Sequence, residues 1–235
     1  MPDSDQLKMA AAASAVAQVR DGMILGLGTG STAAPAVNIL GERVRAGLRV
    51  VGIPTSEATA RQAKALGIPL ATLDEYPEID MTFDGADVVD EGSLNLIKGR
   101  GGALLREKIV ASATRRLVIM IHDEKLVSHL SAREAIPVEV VSFGWQTTAH
   151  RLTDLGARPV LRRDAGGQPF VSDGGHFILD CPFEPSIPVE ELARELDHVV
   201  GVVEHGLFIG LTSEVHVASA GGVRVLKRQP MPPAG

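Results

Sequence analysis

Short apolar runs alternate with segments of helical period along the first half of the chain. Met23–Leu27, Leu48–Ile53, Ile68–Leu73, Ile79–Phe83 and Leu117–Ile121 are aliphatic stretches of strand length. Residues 4–20, 33–47, 57–66 and a segment ending at Ser112 place apolar positions at helical spacing, and Ser4 or Asp5 is the expected cap of the first. Strands alternating with helices predict an α/β fold, a mostly parallel sheet with helices on both faces.

The pattern changes at Pro137. Pro137–Val141, Ala157–Arg162, Phe170–Leu179 and Val199–Val203 read as strands, with a Gly166-Gly167 turn between the second and third. Gly144–Leu155 and Pro188–Leu196 read as helices. Strand, helix, strand, strand, helix, strand is the order of a ferredoxin-like α+β unit. Leu207–Leu211 and Glu214–Ala218 are expected to return to the main sheet, and the proline-rich tail from Arg228 to fray. The expected division is a larger unit of residues 1–131 and 207–235, and a smaller one of residues 132–206.

Composition narrows the function classes. With 235 residues, 45% apolar and 22% charged, the chain reads as a soluble globular protein with a sizeable core. A net charge of −6, with basic runs no longer than Arg115-Arg116 and Arg162-Arg163, argues against nucleic acid as a partner. Aromatics at 3% leave little for stacking bases. Cys181 is the single cysteine, so an internal disulfide and a cysteine metal cluster are both excluded; it precedes Pro182 and reads as structural. The seven histidines are scattered without ligand spacing, so no metal is expected, and Trp145 is expected to pack in the smaller unit. The alanine-rich start is preceded by acids and ended by Gln18 and Arg20, unlike a secretory leader. No stretch approaches the roughly 18 apolar residues of a membrane span, and a cytoplasmic location is expected.

Chemistry concentrates at the predicted strand ends. After Met23–Leu27 comes Gly28-Thr29-Gly30-Ser31-Thr32 and then a helix, a cradle of N–H groups and hydroxyls suited to phosphate. No lysine follows the last glycine, and Ser31 replaces the third glycine of a dinucleotide fingerprint, so a phosphate without a nucleotide is the better reading. Thr55-Ser56-Glu57-Ala58-Thr59 puts further hydroxyls at the next strand end, where Ser56 serves equally well as a helix cap. The stretch Asp84–Lys108 holds five carboxylates, four basic residues and five glycines. Asp84 and Asp87, Lys98, the glycines at 99, 101 and 102, and Glu107 are the parts needed for proton transfer beside a developing oxyanion. A solvated acidic turn ahead of a glycine-started helix is the plainer alternative. Lys125, after Leu117–Ile121, falls at another strand end, and Lys8 near the first helix start reads from spacing alone as solvent-exposed.

A small phosphorylated, polyhydroxylated substrate fits these loops, and aldose–ketose isomerisation is a proton transfer beside a carbonyl. In order along the chain stand Gly28-Thr29-Gly30-Ser31-Thr32, Asp84-Gly85-Ala86-Asp87, Lys98-Gly99-x-Gly101-Gly102-Ala103 and Arg106-Glu107-Lys108. Together with Gln6-Leu7-Lys8, His122-Asp123-Glu124-Lys125, Pro137-Val138-Glu139-Val140 and Val202–Phe208, they make the sequence resemble the type A ribose-5-phosphate isomerases.

The resemblance implies a Rossmann-like domain with a ferredoxin-like annex, a homodimer or homotetramer, and no metal or organic cofactor. It implies Glu107 as the base moving a proton between C1 and C2 through an ene-diolate. Asp84 would assist ring opening, Asp87 and Lys98 would bind and polarise sugar oxygens, and the N–H groups of the Gly99–Gly102 loop would hold the ene-diolate oxygen. Thr29, Gly30, Ser31 and Thr32 would bind sugar or phosphate, with Lys8 and Lys125 adding positive charge. Three positions depart from the family pattern: Arg100 where glycine is usual, Ser172–His176 in place of a turn with two asparagines, and Gly52-Ile53-Pro54 where serines are usual. Two other classes stay open. A sugar-phosphate sensor calls for a DNA-binding domain that does not fit in this length, and an acyl-CoA transferase with a glutamate nucleophile leaves Asp84, Asp87 and Lys98 without a job.

Overall fold

The computed structural model describes residues 3–131, 134–184 and 187–228. In chain order the first elements are α1 (Ser4–Val16), β1 (Ile24–Leu27), α2 (Ala33–Arg45), β2 (Val51–Pro54), α3 (Glu57–Ala65) and β3 (Met81–Gly85). Two short strands, β4 (Val88–Asp90) and β5 (Leu96–Ile97), precede α4 (Leu104–Ser112), β6 (Leu117–His122) and β7 (Leu126–Val127). Then come β8 (Ile136–Val140), α5 (Trp145–Asp154), β9 (Val160–Leu161), β10 (Phe177–Cys181), α6 (Val189–Asp197) and β11 (Val202–His205). The chain closes with β12 (Leu207–Phe208), β13 (Thr212–Ser219) and β14 (Gly222–Lys227).

Six strands form the main sheet in the order β14-β13-β6-β3-β1-β2, parallel except for the β13–β14 hairpin. Along β6, Val118 and Met120 join one core with α1 and α2, while Leu117, Ile119 and Ile121 join another with Ala111 of α4. That period-2 split is what a sheet covered on both faces requires. Ala11, Ala12 and Ala15 are fully buried, so the alanine run of α1 is a close-packing face. Asp3 caps α1 through a capping box with Gln6, one position earlier than expected, and the helix stops at Val16 rather than at 20. Carbonyls just past its end are taken by Arg43, which donates to Val19 O at 2.9 Å.

The chain passes from β1 to β2 on one side and returns to β3 on the other. The crevice beyond the C-terminal ends of β1 and β3 is therefore the topological switch point, where sheets of this kind bind ligands. Gly28–Thr32 leaves β1 there, and Asp84–Asp87 leaves β3.

The second sheet, β11-β8-β10-β9, is antiparallel and has the predicted ferredoxin-like order, with α5 and α6 packed on it in a core of their own. Cys181 and Leu179 lie in that core, and Trp145 packs against it. The third sheet, β12-β5-β4-β7, turns Val88, Ile97 and Leu207 into the core of the second sheet and Val89, Leu96 and Phe208 into a core of the first, so it sits between them.

Five expectations are corrected. Ile68–Leu73 is not a strand; Pro69 has no N–H to give, and only a Gly52–Leu70 bridge forms beside β2. Leu207–Leu211 does not join the main sheet, because β12 pairs with β5 in the third. The short strands β4, β5 and β7 of the third sheet are not among the expected elements, since strands of two or three residues carry no period. β14 was missed although Gly221-Gly222 followed by alternating apolar residues is a hairpin signal. Phe170–Leu179 shortens to β10, with residues 172–175 forming a turn. The tail beyond Arg228 lies outside the described residues.

Gly206 marks the point where the chain leaves the second sheet. Its carbonyl accepts from Lys98 N at 2.8 Å and its own N–H donates to Pro137 O at 2.7 Å. A Cβ placed on it would lie 2.2 Å from Lys98 O and 2.9 Å from Pro137 Cδ. Gly206→Ala is expected to cost about 1–3 kcal/mol of stability, the usual penalty of overpacking against backbone. Urea denaturation of the two proteins measures it, and an unchanged midpoint would show that the backbone has room.

Candidate active site

Lys98, at the end of β5, points its ammonium into a buried acidic niche. It lies 3.0 Å from Asp84 Oδ2 and 3.5 Å from Glu107 Oε2, and also donates to the carbonyl of Gly85. All three side chains are nearly inaccessible, at 4% for Lys98, 3% for Asp84 and 6% for Glu107. The Phe208 ring lies 5.6 Å from the ammonium and closes the niche from below. Each member arrives on a separate element: Asp84 on β3, Lys98 on β5, Glu107 in the first turns of α4.

One cation faces two carboxyls, so one proton is in surplus. Burial works against the Lys98 charge, but Asp84, Glu107 and Asp87 outweigh it and hold the ammonium well above the ordinary lysine range. Burial raises Asp84, against which Lys98 and the N–H groups of Gly85 and Thr29, at 2.7 and 3.1 Å, pull it back. Burial pushes Glu107 up to about 8, with Lys98 opposing and Asp84 and Asp87 adding to the rise. Glu107 Oε2 accepts no hydrogen bond among the described residues. Both carboxyls are raised and share the surplus proton; the three donors on Asp84, against none on Glu107 Oε2, favour the charge on Asp84 and the proton on Glu107.

Above the niche opens a cavity of about 400 Å³. Thr29, Gly30, Ser31 and Thr32 line one side, Gly85, Ala86 and Asp87 another, and Lys98, Gly99, Arg100, Gly101, Glu107 and Lys125 the rest. Of the residues picked from sequence, eleven are on this wall or, for Asp84, under its floor. Gly102 and Lys8 stand apart. Gly102 packs against Phe170, which leaves no room for a Cβ. Lys8 pairs with Asp5 at 2.9 Å, although its charge still bears on Lys125.

The N–H groups of Gly30, Ser31 and Thr32, just ahead of α2, have no partner among the described residues, so the loop is an open anion cradle. The Thr29 hydroxyl is not available to it. That oxygen lies 2.7 Å from Thr55 Oγ1, 2.8 Å from Ser56 Oγ and 3.1 Å from Thr59 Oγ1. The second hydroxyl loop thus anchors the first, and Ser56 caps α3 by accepting from Thr59 N at 3.0 Å. Lys125 donates to Ala86 O at 2.6 Å from the turn after β6. In the glycine loop the N–H groups of Gly99 and Gly101 are free among the described residues, whereas Arg100 N donates to Asp87 Oδ2 at 2.9 Å. The Arg100 side chain turns outward to Glu134 at 3.3 Å.

Sequence reasoning missed several supports. Gly28 allows β1 to close on β3, since a Cβ there would sit 2.3 Å from Asp84 Oδ1. Arg162, just past β9, grips the glycine loop from behind while braced by Asp180 of β10, with no local signal to announce it. Asp173, in the turn at 172–175, accepts from Glu57 N at 2.8 Å and so ties the second sheet to α3. A separate juxtaposition of Asp197, Glu204 and His205 also escaped the spacing argument. There Lys108 supplies the cation, 2.6 Å from Glu204 Oε1, and burial together with Lys108 drives His205 down to about 4.

Comparison with known proteins bears on this geometry. Residues 51–222 match the family described as ribose 5-phosphate isomerase A (phosphoriboisomerase A). The chain is 58% identical over 224 residues to ribose-5-phosphate isomerase A of Gloeobacter violaceus, covering 95% of this chain and 97% of that protein. It is 52% identical to that of a Synechococcus, covering 97% of this chain and all of the relative. Among solved structures it is similar to ribose 5-phosphate isomerase A of Methanocaldococcus jannaschii, with a TM-score of 0.90 and 40% identity over 95% of this chain and 99% of the other. A D-ribose-5-phosphate isomerase in complex with phospho-erythronic acid matches with a TM-score of 0.92 and 36% identity, over 97% of this chain and 100% of the other.

The protonated Glu107 has a consequence for stability. A carboxyl raised from 4.5 to about 8 binds its proton more tightly in the folded state. Its cost to folding is therefore absent at low pH, develops as pH rises through that window and is complete above it. The stability of Glu107→Gln relative to the unsubstituted protein is expected to grow between pH 5 and pH 8, measured by denaturation at each pH. Equal differences at both would mean that Glu107 is already ionised at pH 5.

Proposed function

The chain belongs to the ribose 5-phosphate isomerase A family and is an aldose–ketose isomerase of ribose 5-phosphate, and we propose that the Lys98 pocket performs the conversion to ribulose 5-phosphate through an ene-diolate with Glu107 as the base. The observation that carries the assignment is a buried carboxyl, Glu107, 3.5 Å from the Lys98 ammonium on the wall of a cavity whose other walls offer free N–H groups, and burial raises that carboxyl above its ordinary range. A base poised near the working pH combines a usable ionised fraction with a strong affinity for the proton it takes.

In this reading the phosphate rests on the N–H groups of Gly30, Ser31 and Thr32 at the α2 N-terminus, with Lys125 beside it. Lys8 contributes background charge. The sugar's reacting end then lies toward Lys98 and the glycine loop. Asp84 sits beneath the floor as counter-ion to Lys98, while Asp87 is on the wall, which supports Asp87 as the carboxylate that assists ring opening. Glu107 takes the proton from C2 while the charge develops on the C1 oxygen facing Lys98 and the N–H groups of Gly99 and Gly101; the proton then returns to C1, and the C2 hydroxyl passes its own proton to the C1 oxygen as the C2 oxygen becomes the carbonyl. These groups supply base, acid and oxyanion donors from the chain itself, and the reading includes no metal or organic cofactor. Phospho-erythronic acid, bound by one solved relative, is a four-carbon phosphorylated acid. For this chain its carboxylate would match the charge of the ene-diolate.

The same reading carries a homodimer or homotetramer, for which exposed Val141, Phe143 and Val200 on the second sheet's side offer an apolar face. It also carries a cytoplasmic location; no described helix is long and apolar enough to cross a membrane.

Conversion of ribose 5-phosphate in the presence of EDTA tests the assignment. Glu107→Gln is expected to lose roughly 10²–10⁴ in kcat with KM little changed. Activity surviving within a few-fold would remove Glu107 as the base. Lys125→Ala is expected to raise KM more than it lowers kcat, and an unchanged KM would take it out of the phosphate site.

A further inference from the structure

The glycine loop that presents N–H groups to the cavity is held from its far side by one side chain. Arg162, on the strand edge after β9, donates through Nη1 to Gly99 O at 2.8 Å and to Arg100 O at 3.1 Å. Its other nitrogens are locked to Asp180 of β10, Nε at 3.0 Å from Oδ2 and Nη2 on Oδ1, so both edges of the guanidinium are used. Only 13% of the Arg162 side chain is exposed. It lines a second cavity, behind the loop, shared with Asp180 and Glu134, and takes no part in the wall of the substrate cavity.

A trans peptide points its N–H opposite its carbonyl. The two peptides whose carbonyls Arg162 grips are those that carry the N–H groups of Arg100 and Gly101. Fixing the carbonyls toward the second sheet therefore turns both N–H groups toward the cavity. The first is verified by its contact, since Arg100 N donates to the cavity-wall carboxylate of Asp87 at 2.9 Å. The second, Gly101 N, is free among the described residues. A charged donor on each carbonyl also polarises the peptide, making its N–H a stronger donor at the opposite end. Glycine at 99 and 101 gives this backbone freedom; within the loop Gly102 N donates to Gly99 O at 3.0 Å, and Arg162 adds the hold from outside, on that carbonyl and on that of Arg100.

We propose that Arg162, braced by Asp180, is a positioning residue for the isomerisation: it aims and strengthens the Gly101 N–H that stabilises the ene-diolate oxygen, keeps Arg100 N turned to Asp87, and does so from the second sheet. The proposal rests on the reading of the Lys98 pocket given above. It implies that the second sheet supplies part of the transition-state environment without touching the substrate.

The test uses Arg162→Met and Asp180→Asn in the full chain, with three readouts. Isomerase kinetics are expected to show kcat lowered roughly 10–100-fold with KM within about threefold, since the phosphate cradle is untouched. Inhibition by phospho-erythronic acid, whose carboxylate would face the loop in this reading, is expected to weaken by the same factor as kcat/KM. Inhibition by inorganic phosphate is expected to stay within twofold. Should Arg162→Met fail to fold, Asp180→Asn, which keeps the arginine and nearly the same volume, carries the comparison. Unchanged kcat in a folded variant would overturn the proposal, and so would equal weakening of phosphate and phospho-erythronic acid, the mark of general loosening. Inactive unsubstituted protein would instead sink the isomerase reading on which the proposal stands.

Discussion

The structure depends on placing one ammonium between two carboxyls out of contact with water. A buried charge costs several kcal/mol unless it is closely partnered, and a carboxyl pair beside a single cation cannot be fully ionised. Lys98, Asp84 and Glu107 meet those terms only because three elements converge on one point. β3 must end level with the glycine loop, β5 must pair with β12 to bring Lys98 in, and α4 must begin a turn early enough to face inward. Gly28 and Gly85 keep their Cβ positions empty, so that the end of β1 can close over Asp84 and Thr32 at the start of α2 can close over β3. The surplus proton left on Glu107 is the chemical product of that packing.

What the sequence made legible follows from the range of each signal. The parallel sheet, the ferredoxin-like order and the strand-end loops rest on periodicity and on residues adjacent in the chain, and they were read correctly. Thr29, Gly30, Ser31, Thr32, Asp87, Lys98 and Glu107 came from contiguous motifs, and the structure brings them to one cavity. Division of labour within the motifs was not legible. Nothing in Thr29-Gly30-Ser31 says that the first hydroxyl is spent on Thr55, Ser56 and Thr59 while the N–H groups after it are free. Asp84 and Asp87 are three residues apart, yet one lies beneath the floor and the other on the wall, a difference set by where β3 ends.

Contacts made across the fold were invisible for a different reason. Arg162 and Asp180 are 18 residues apart and meet through strand register; Asp173 reaches α3 across 116 residues. The strands β4, β5, β7 and β12 are too short for any period, and their pairing is fixed by the two larger sheets on either side. Ile68–Leu73 shows the reverse case, an apolar run whose proline and edge position deny it the ladder its composition suggests.

The way the second sheet joins the first has a bearing on how such a protein can change over time. A segment whose ends lie together is ordinarily a detachable insert, since excision leaves a short gap to seal. Here Pro137 and Gly206 do lie together, joined by a hydrogen bond, but the third partner at that junction is the backbone of Lys98. Trimming the segment back would free the N–H that anchors the lysine and strip the glycine loop of its outer grip. The ferredoxin-like portion thus behaves as a fitting cast in one piece with the floor of the cavity, and the seam of Pro137, Gly206 and Lys98 is where its sequence is least free to drift.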